Sequence, residues 1–170
     1  MSELASPGQL RAALLRWSLF LAPLLLLLGT VSGLMGGSGA NNVWFMGLEK
    51  PSLYPPPATF GIVWTVLYLL MGVALAMVVT ARGAAGRGIA IAAFVVQYLL
   101  NLAWSPVFFG MHLLLPALYL LVAIDLAVLV TVWLFWKVRP LAAWLLVPYL
   151  AWVLFATALN WQFVAVNPGA

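Results

Sequence analysis

Polar and charged residues sit at a few short stations along the chain, and the stretches between them are apolar. Arg11 and Arg16 precede a first apolar run from Trp17 to about Met35. A Gly/Ser/Asn-rich stretch, 36–42, leads into a polar loop that ends Glu49-Lys50-Pro51-Ser52-Leu53-Tyr54-Pro55-Pro56-Pro57. Prolines at that density cannot continue a helix. A second run covers about Ala58 to Ala81, and Arg82 and Arg87 bracket the Gly/Ala connection that follows. The third run covers about Gly88 to Phe109 and the fourth about Leu113 to Trp136, with the turn Gly110-Met111-His112 between them. Lys137, Arg139 and Pro140 separate the fourth run from the fifth, about Leu141 to Val164. A bilayer-spanning helix needs about 20 predominantly apolar residues. The pattern therefore predicts an all-α membrane protein, a bundle of five transmembrane helices. The expected organisation is an N-terminal tail (1–16), a five-helix domain (17–165) and a short C-terminal tail (166–170).

Composition turns this pattern into a constraint. The 170 residues are 66% hydrophobic and 6% charged, and the mean hydropathy is +1.16. Soluble domains carry about 25% charged residues, so lipid is the solvent here, and no length remains for a separate catalytic domain. The net charge of +4 comes from seven scattered Lys and Arg. They form no patch, which argues against nucleic acid as a partner. With no cysteine there is no disulfide, thiolate metal site or Cys nucleophile. The first run resembles a signal peptide in its basic flank and in Ser38-Gly39-Ala40, but its apolar core is longer than the usual 7–15 residues or so, so it is expected to remain as a span. Arg11, Arg16, Arg82, Arg87, Lys137 and Arg139 fall on the N-terminal side, and Lys50 falls on the other. By the positive-inside rule the N-terminus is cytoplasmic. A bacterial inner membrane is expected, or the outer mitochondrial membrane in a eukaryote.

Few residues are available for chemistry. The acids are Glu3 in the tail, Glu49 beside Lys50, and Asp125; the one histidine, His112, lies at a turn. Metal sites need three or four converging ligands, so no metal is expected. Asp125 sits near the middle of the fourth run, where a carboxyl is costly and signals either function or a hydrogen bond to another helix. Asn101, Asn160 and Gln162 must also face protein or a cavity, whereas Thr65 and Thr157 can bond their own backbone. Trp17, Trp44, Trp136 and Trp161 are placed as interface anchors. Trp64, Trp104, Trp133, Trp144 and Trp152 lie deeper, either as packing or as a cavity lining. Ala84, Gly88 and Ala92 recur at every fourth residue, a spacing that lets helices approach closely, in a homodimer or within the bundle. Pro23, Pro106, Pro116 and Pro148 interrupt runs, and the kinks they make can open pockets.

Three stretches carry a resemblance. Lys50-Pro51-Ser52-Leu53-Tyr54-Pro55-Pro56 with Phe60-Gly61-Ile62-Val63-Trp64-Thr65-Val66-Leu67-Tyr68, then Asn101-Leu102-Ala103-Trp104-Ser105-Pro106-Val107-Phe108-Phe109-Gly110, then Val147-Pro148-Tyr149-Leu150-Ala151-Trp152 with Ala156-Thr157-Ala158-Leu159-Asn160, resemble the translocator protein family (TspO/MBR), also called tryptophan-rich sensory proteins or peripheral benzodiazepine receptors. The resemblance covers about residues 43–163, and Asp125 falls where many members carry an acid. It implies a five-helix bundle, usually a homodimer. It also implies a cavity open toward the first loop that binds porphyrins and, in animal members, cholesterol and synthetic ligands. Carried over by position, Phe60, Trp64, Asn101, Trp104, Trp152 and Ala156 would line it, and the loop around Leu53 would act as a lid and contribute Leu53 to the ligand contacts. Leu53 stands where Trp is common in the family. No basic residue follows Tyr149, so the animal cholesterol motif is absent.

The functional expectation is a protein that binds tetrapyrroles (porphyrin, with haem as a further ligand) or similar apolar molecules, for transport or regulation, with no cofactor required. One alternative is light-dependent porphyrin degradation through Trp64 and Trp152, resting on the ligand's own photochemistry because general acid/base groups are lacking. Another is a small transporter with Asp125 as its coupling site, although five helices without an inverted repeat depart from the usual transporter design.

Overall fold

A computed structural model describes residues 6–39 and 41–169. Glu3 and the Ser38-Gly39-Ala40 cleavage reading, which needs Ala40, lie outside the described residues. Helix α1 (Pro7–Met35) is followed by the short α2 (Val43–Gly47), then α3 (Pro57–Val79), α4 (Arg87–Ser105), α5 (Leu114–Val138) and α6 (Pro140–Val166). A π-helical turn, Pro106–Gly110, extends α4. Five of these segments are long and apolar enough to cross a membrane, and the described residues contain no strand.

Two boundaries differ from expectation for local reasons. Residues 7–16, expected as a tail, are the first turns of α1. Ser6 caps the helix: its hydroxyl accepts from the Gln9 N–H at 3.3 Å, and Gln9 Oε1 accepts from the Ser6 N–H at 2.8 Å. Pro7 at the first helical position needs no N–H partner. Helix α2 lies inside the first loop, where Asn42 caps it by accepting from the Phe45 N–H at 2.9 Å. The prolines also separate. Pro116 falls in the first turn of α5 and interrupts nothing, while Pro23 and Pro148 lie within continuous helices. Only Pro106 coincides with a change of helical type.

Short connections make neighbouring spans antiparallel. The closest packing joins α5 to α6, α1 to α3 and α4 to α5. Glycines set the α1–α3 distance. A Cβ on Gly72 would lie 2.3 Å from Ala22 Cα, and one on Gly29 would lie 2.3 Å from the Tyr68 ring. The small residues singled out from spacing behave otherwise. Ala84 sits in the turn before α4, Gly88 and Ala92 are exposed, and a Cβ on Gly88 would meet nothing within 4 Å. The reading of Ala84, Gly88 and Ala92 as a contact within the bundle is therefore corrected: the close approach belongs to Gly29 and Gly72.

The tryptophans divide by face. Trp17, Trp133, Trp136, Trp144 and Trp161 point out of the bundle. Trp136 and Trp144 meet edge to face at 5.9 Å, and Lys137 Nζ lies 3.5 Å from the Trp133 ring centroid. This is an interfacial group beside the basic end. Trp44, expected as an anchor, instead stacks on His112 at 4.5 Å. Trp64, Trp104 and Trp152 pack against the core.

Gly72→Ala should destabilise the bundle by about 1–3 kcal/mol, because the new methyl meets main chain that cannot turn aside. Gly88→Ala should stay within about 0.5 kcal/mol of the wild type. Unfolding titrations in mixed micelles would compare the two, and equal effects would contradict the packing described.

Candidate ligand-binding site

Helices α3, α4 and α6 bring the expected residues toward one interior, in two aromatic groups. The inner group is built around Tyr149, which is fully buried. Trp64 stacks on Tyr68 at 5.3 Å and meets Tyr149 edge-on at 6.3 Å, and Tyr68 meets Tyr98 at 6.1 Å. The outer group lies under the first loop. Phe45, Phe108 and Phe163 are buried, with Phe45 5.1 Å from Phe109 and 5.6 Å from Phe163. Phe60 and Trp152 join the two, edge to face at 5.9 Å. Trp104 stacks on Phe108 at 4.9 Å and also packs against the inner core. Ala156 is half-buried beside them.

Three side-chain hydrogen bonds tie the helices behind these rings. Tyr68 donates to Asn101 Oδ1 at 2.9 Å, joining α3 to α4. Tyr149 donates to Gln97 Oε1 at 2.9 Å, joining α6 to α4. Thr157 donates to Asp125 Oδ2 at 2.7 Å, joining α6 to α5. Asn160 adds a fourth tie through its Nδ2, which donates to the Leu114 carbonyl at 2.9 Å. Asp125 thus has the interhelical partner that its position demanded, while its Oδ1 is buried without one among the described residues. Trp104 Nε1, Trp152 Nε1 and Gln97 Nε2 are likewise buried donors with no protein acceptor among the described residues.

Leu53 is not part of this assembly. It is 45% exposed, and only its main-chain N–H is engaged, by Gln162 Oε1 at 3.4 Å. Its neighbour Tyr54 enters the outer group instead, 5.7 Å from Phe60 and 5.9 Å from Phe45 and Phe163. Burial raises the Tyr54 pKa above its ordinary 10.0, so the ring is neutral in physiological conditions. The side chain that closes the interior from the loop is therefore one residue away from the position expected.

The loop itself is tied down. Asn167 grips the main chain of Glu49 at two points: Oδ1 accepts from the Glu49 N–H at 2.8 Å, and Nδ2 donates to the Glu49 carbonyl at 3.0 Å. Lys50 Nζ donates to the Leu48 carbonyl at 2.8 Å and to that of Phe45, and sits 4.4 Å over the Phe45 ring. Its desolvation lowers the ammonium pKa from 10.5. The expected opening toward the first loop is thus closed by packed rings and by main-chain ties. The surface of the described residues carries shallow recesses, two of which bear on access. One, of about 540 Å³, lies at the outer rim and includes Asn42, Trp44 and His112. The other, of about 500 Å³, is an apolar groove between α3 and α6.

The TspO/MBR family model matches residues 20–166, nearly the whole described bundle. The chain belongs to the TspO/MBR family. Among relatives of this TspO/MBR protein, Protein CrtK of Rhodobacter capsulatus is 37% identical over 142 residues, which is 81% of this chain and 87% of the relative. The Tryptophan-rich protein TspO of Chlorobaculum tepidum is 39% identical over 126 residues, 74% of this chain and 80% of its own. The Translocator protein of Homo sapiens is 38% identical over 128 residues, 74% and 76% of the two chains. The TspO/MBR bundle described here is thus an integral, multi-pass membrane protein of a family of translocators and sensors.

Gln97 and Asn167 escaped the reading of the sequence, and Tyr68 and Tyr149 entered it only as members of motifs, with no role in the site. Gln97 could have been found, since it lies one helical turn before Asn101 on the same face of an apolar run. In this TspO/MBR protein, Tyr149→Phe should lower stability by about 0.5–1.5 kcal/mol, the usual range for one interhelical hydrogen bond in a membrane. Gln97→Ala added to it should cost less than the sum of the two single changes. A double-mutant cycle on unfolding would measure the coupling, and strict additivity would argue against the bond.

Proposed function

We propose that this protein binds a tetrapyrrole, in the first place a metal-free porphyrin, between the aromatic faces of α3, α4 and α6, for transport or for regulation of its supply. The observation that carries this reading is the pairing of ring faces with unpartnered donors in one apolar interior. A porphyrin is a flat aromatic plate with polar edge groups. Phe60, Trp64, Trp104 and Trp152 supply faces for it, and Asn101 and the indole N–H groups supply donors for its edge. Ala156 places a small side chain one turn beyond Trp152 on α6. Haem would need an axial ligand, and the histidine, His112, is committed to the rim beside Trp44. Binding requires the packed rings to part, so the geometry described is the closed form of the site.

The same reading gives topology and assembly. Six of the seven cations cluster at the end of the bundle that holds the start of α1, which favours a cytoplasmic N-terminus in a bacterial inner membrane. The open stripe of Gly88 and Ala92 on α4 suits a homodimer contact. A second reading is favoured by the contiguous rings Trp64, Tyr68 and Tyr98. They would sit beside a bound porphyrin and carry oxidising equivalents from its photochemistry, as light-dependent degradation would require.

Titration of the purified protein with protoporphyrin IX should quench tryptophan fluorescence to saturation. Trp152→Ala should weaken binding by about tenfold, equivalent to about 1.4 kcal/mol. Absence of saturation would remove the tetrapyrrole reading. Under illumination, porphyrin bands that fade as fast in Trp64→Phe and Trp152→Phe as in the wild type would remove the role given to the tryptophans.

A further inference from the structure

We infer that the ligand reaches the interior sideways from the lipid, through the groove between α3 and α6 with Trp152 as its inner wall, and not through the first loop. The inference rests on the ligand class proposed above and adds the route.

Two observations oppose a route through the loop. The rings beneath it are in contact, with Phe45, Phe108 and Phe163 between 2% and 8% exposed. The segment above them is fastened on both sides. Asn167 holds Glu49 by two hydrogen bonds from the end of α6. On the other side, Asn42 Nδ2 donates to the Phe109 carbonyl at 3.3 Å and to the Gly37 carbonyl at 3.0 Å. Lifting the loop means breaking main-chain ties and separating an aromatic cluster at once.

The α3–α6 seam has the opposite character. It packs more sparsely than α5–α6 or α1–α3. Ile62 and Val66 on α3 face Pro148 and Ala151 on α6 across this open apolar groove of about 500 Å³. It opens from the middle of two spanning helices, so its occupant comes from the bilayer, where a porphyrin or another apolar ligand concentrates. Pro148 has no N–H for the Trp144 carbonyl, which loosens α6 one turn before Trp152. Trp152 belongs to both sides. It lines the groove, it packs on Phe60 of the interior group, and its indole N–H lacks a protein acceptor among the described residues. Rotation of this one ring connects the groove to the proposed site, and a ligand oxygen or nitrogen can take its free N–H.

The experiment compares rates with equilibrium. Full-length protein in lipid nanodiscs is mixed with protoporphyrin IX delivered from vesicles, and tryptophan quenching is followed by stopped flow. Ala151→Phe and Val66→Phe, both lipid-facing changes between apolar residues, fill the groove. Each should slow association and dissociation by about fivefold or more with affinity within about twofold, as expected for an obstructed route. Asn167→Ala, which frees the loop, should leave both rates unchanged. Rates that rise with Asn167→Ala and ignore both groove-filling changes would overturn the route while leaving the tetrapyrrole reading intact. A wild type with no saturable quenching would overturn that reading, and the inference with it.

Discussion

Pro106 has no N–H to give, and within a bilayer the Leu102 carbonyl it leaves bare has no water to turn to. Every main-chain polar group in a spanning segment must be satisfied by protein. Here the partner comes from another helix: the Ser32 hydroxyl of α1 donates to the Leu102 carbonyl. That bond requires α1 to reach the end of α4 closely, which Gly36 permits, since a Cβ there would lie 2.7 Å from the Ser105 main chain. Beyond Pro106 the chain continues as a π-helical turn closed by Met111 N–H on the Pro106 carbonyl at 2.8 Å. This wider turn presents Phe108 inward and places Phe109 beside Phe45. The plug beneath the first loop thus descends from one unmet carbonyl and its repair.

The same requirement explains why polar side chains in the bundle come in pairs. Tyr68 with Asn101, Tyr149 with Gln97, and Thr157 with Asp125 each cross between helices. Such bonds are each worth about 0.6 kcal/mol in membranes, so they fix register more than they hold the bundle together. Apolar packing around Met71, Phe94, Ile124 and Phe135, all within 1% of full burial, supplies the density. Tyr149 is the shared member. Its hydroxyl fixes α6 to α4, and its ring carries the edge contact with Trp64. A change there moves both the helix register and a face of the proposed site.

The spans were legible because lipid demands a composition, and composition is visible residue by residue. Boundaries needed local chemistry. The Ser6–Gln9 capping box is written in the sequence as Ser-Pro-Gly-Gln, but the eye follows the apolar run that begins at Trp17. Facing was less legible. Five tryptophans point to lipid and Trp44 turns to His112, because nearly every position of these helices is apolar and periodicity carries little contrast. Which small residues meet a partner helix within the bundle was equally hard to read. Small residues at a four-residue spacing mark a helix that can be approached, and only a partner such as Ala22 or Tyr68 decides that one is. The candidate lining was found by resemblance at Phe60, Trp64, Asn101 and Trp152. Within the loop around Leu53, Leu53 keeps its side chain outward while Tyr54 turns in, a difference that the sequence pattern does not show.

The outward Leu53 bears on what the loop contributes. Its main chain is held by Gln162 from the last turns of α6, and that of Glu49 by Asn167 just past the end of that helix. Backbone ties of this kind do not depend on the side chain at 53. A larger side chain at that position would extend outward from the loop without altering how the loop is fastened. Fastening and inner surface are therefore separate in this bundle: the side-chain amides of Gln162 and Asn167 hold the cover, while Tyr54 and Phe60 line its underside. On the reading proposed above, a ligand beneath such a cover would meet mainly α3, α4 and α6, with the Tyr54 ring as the loop's contribution.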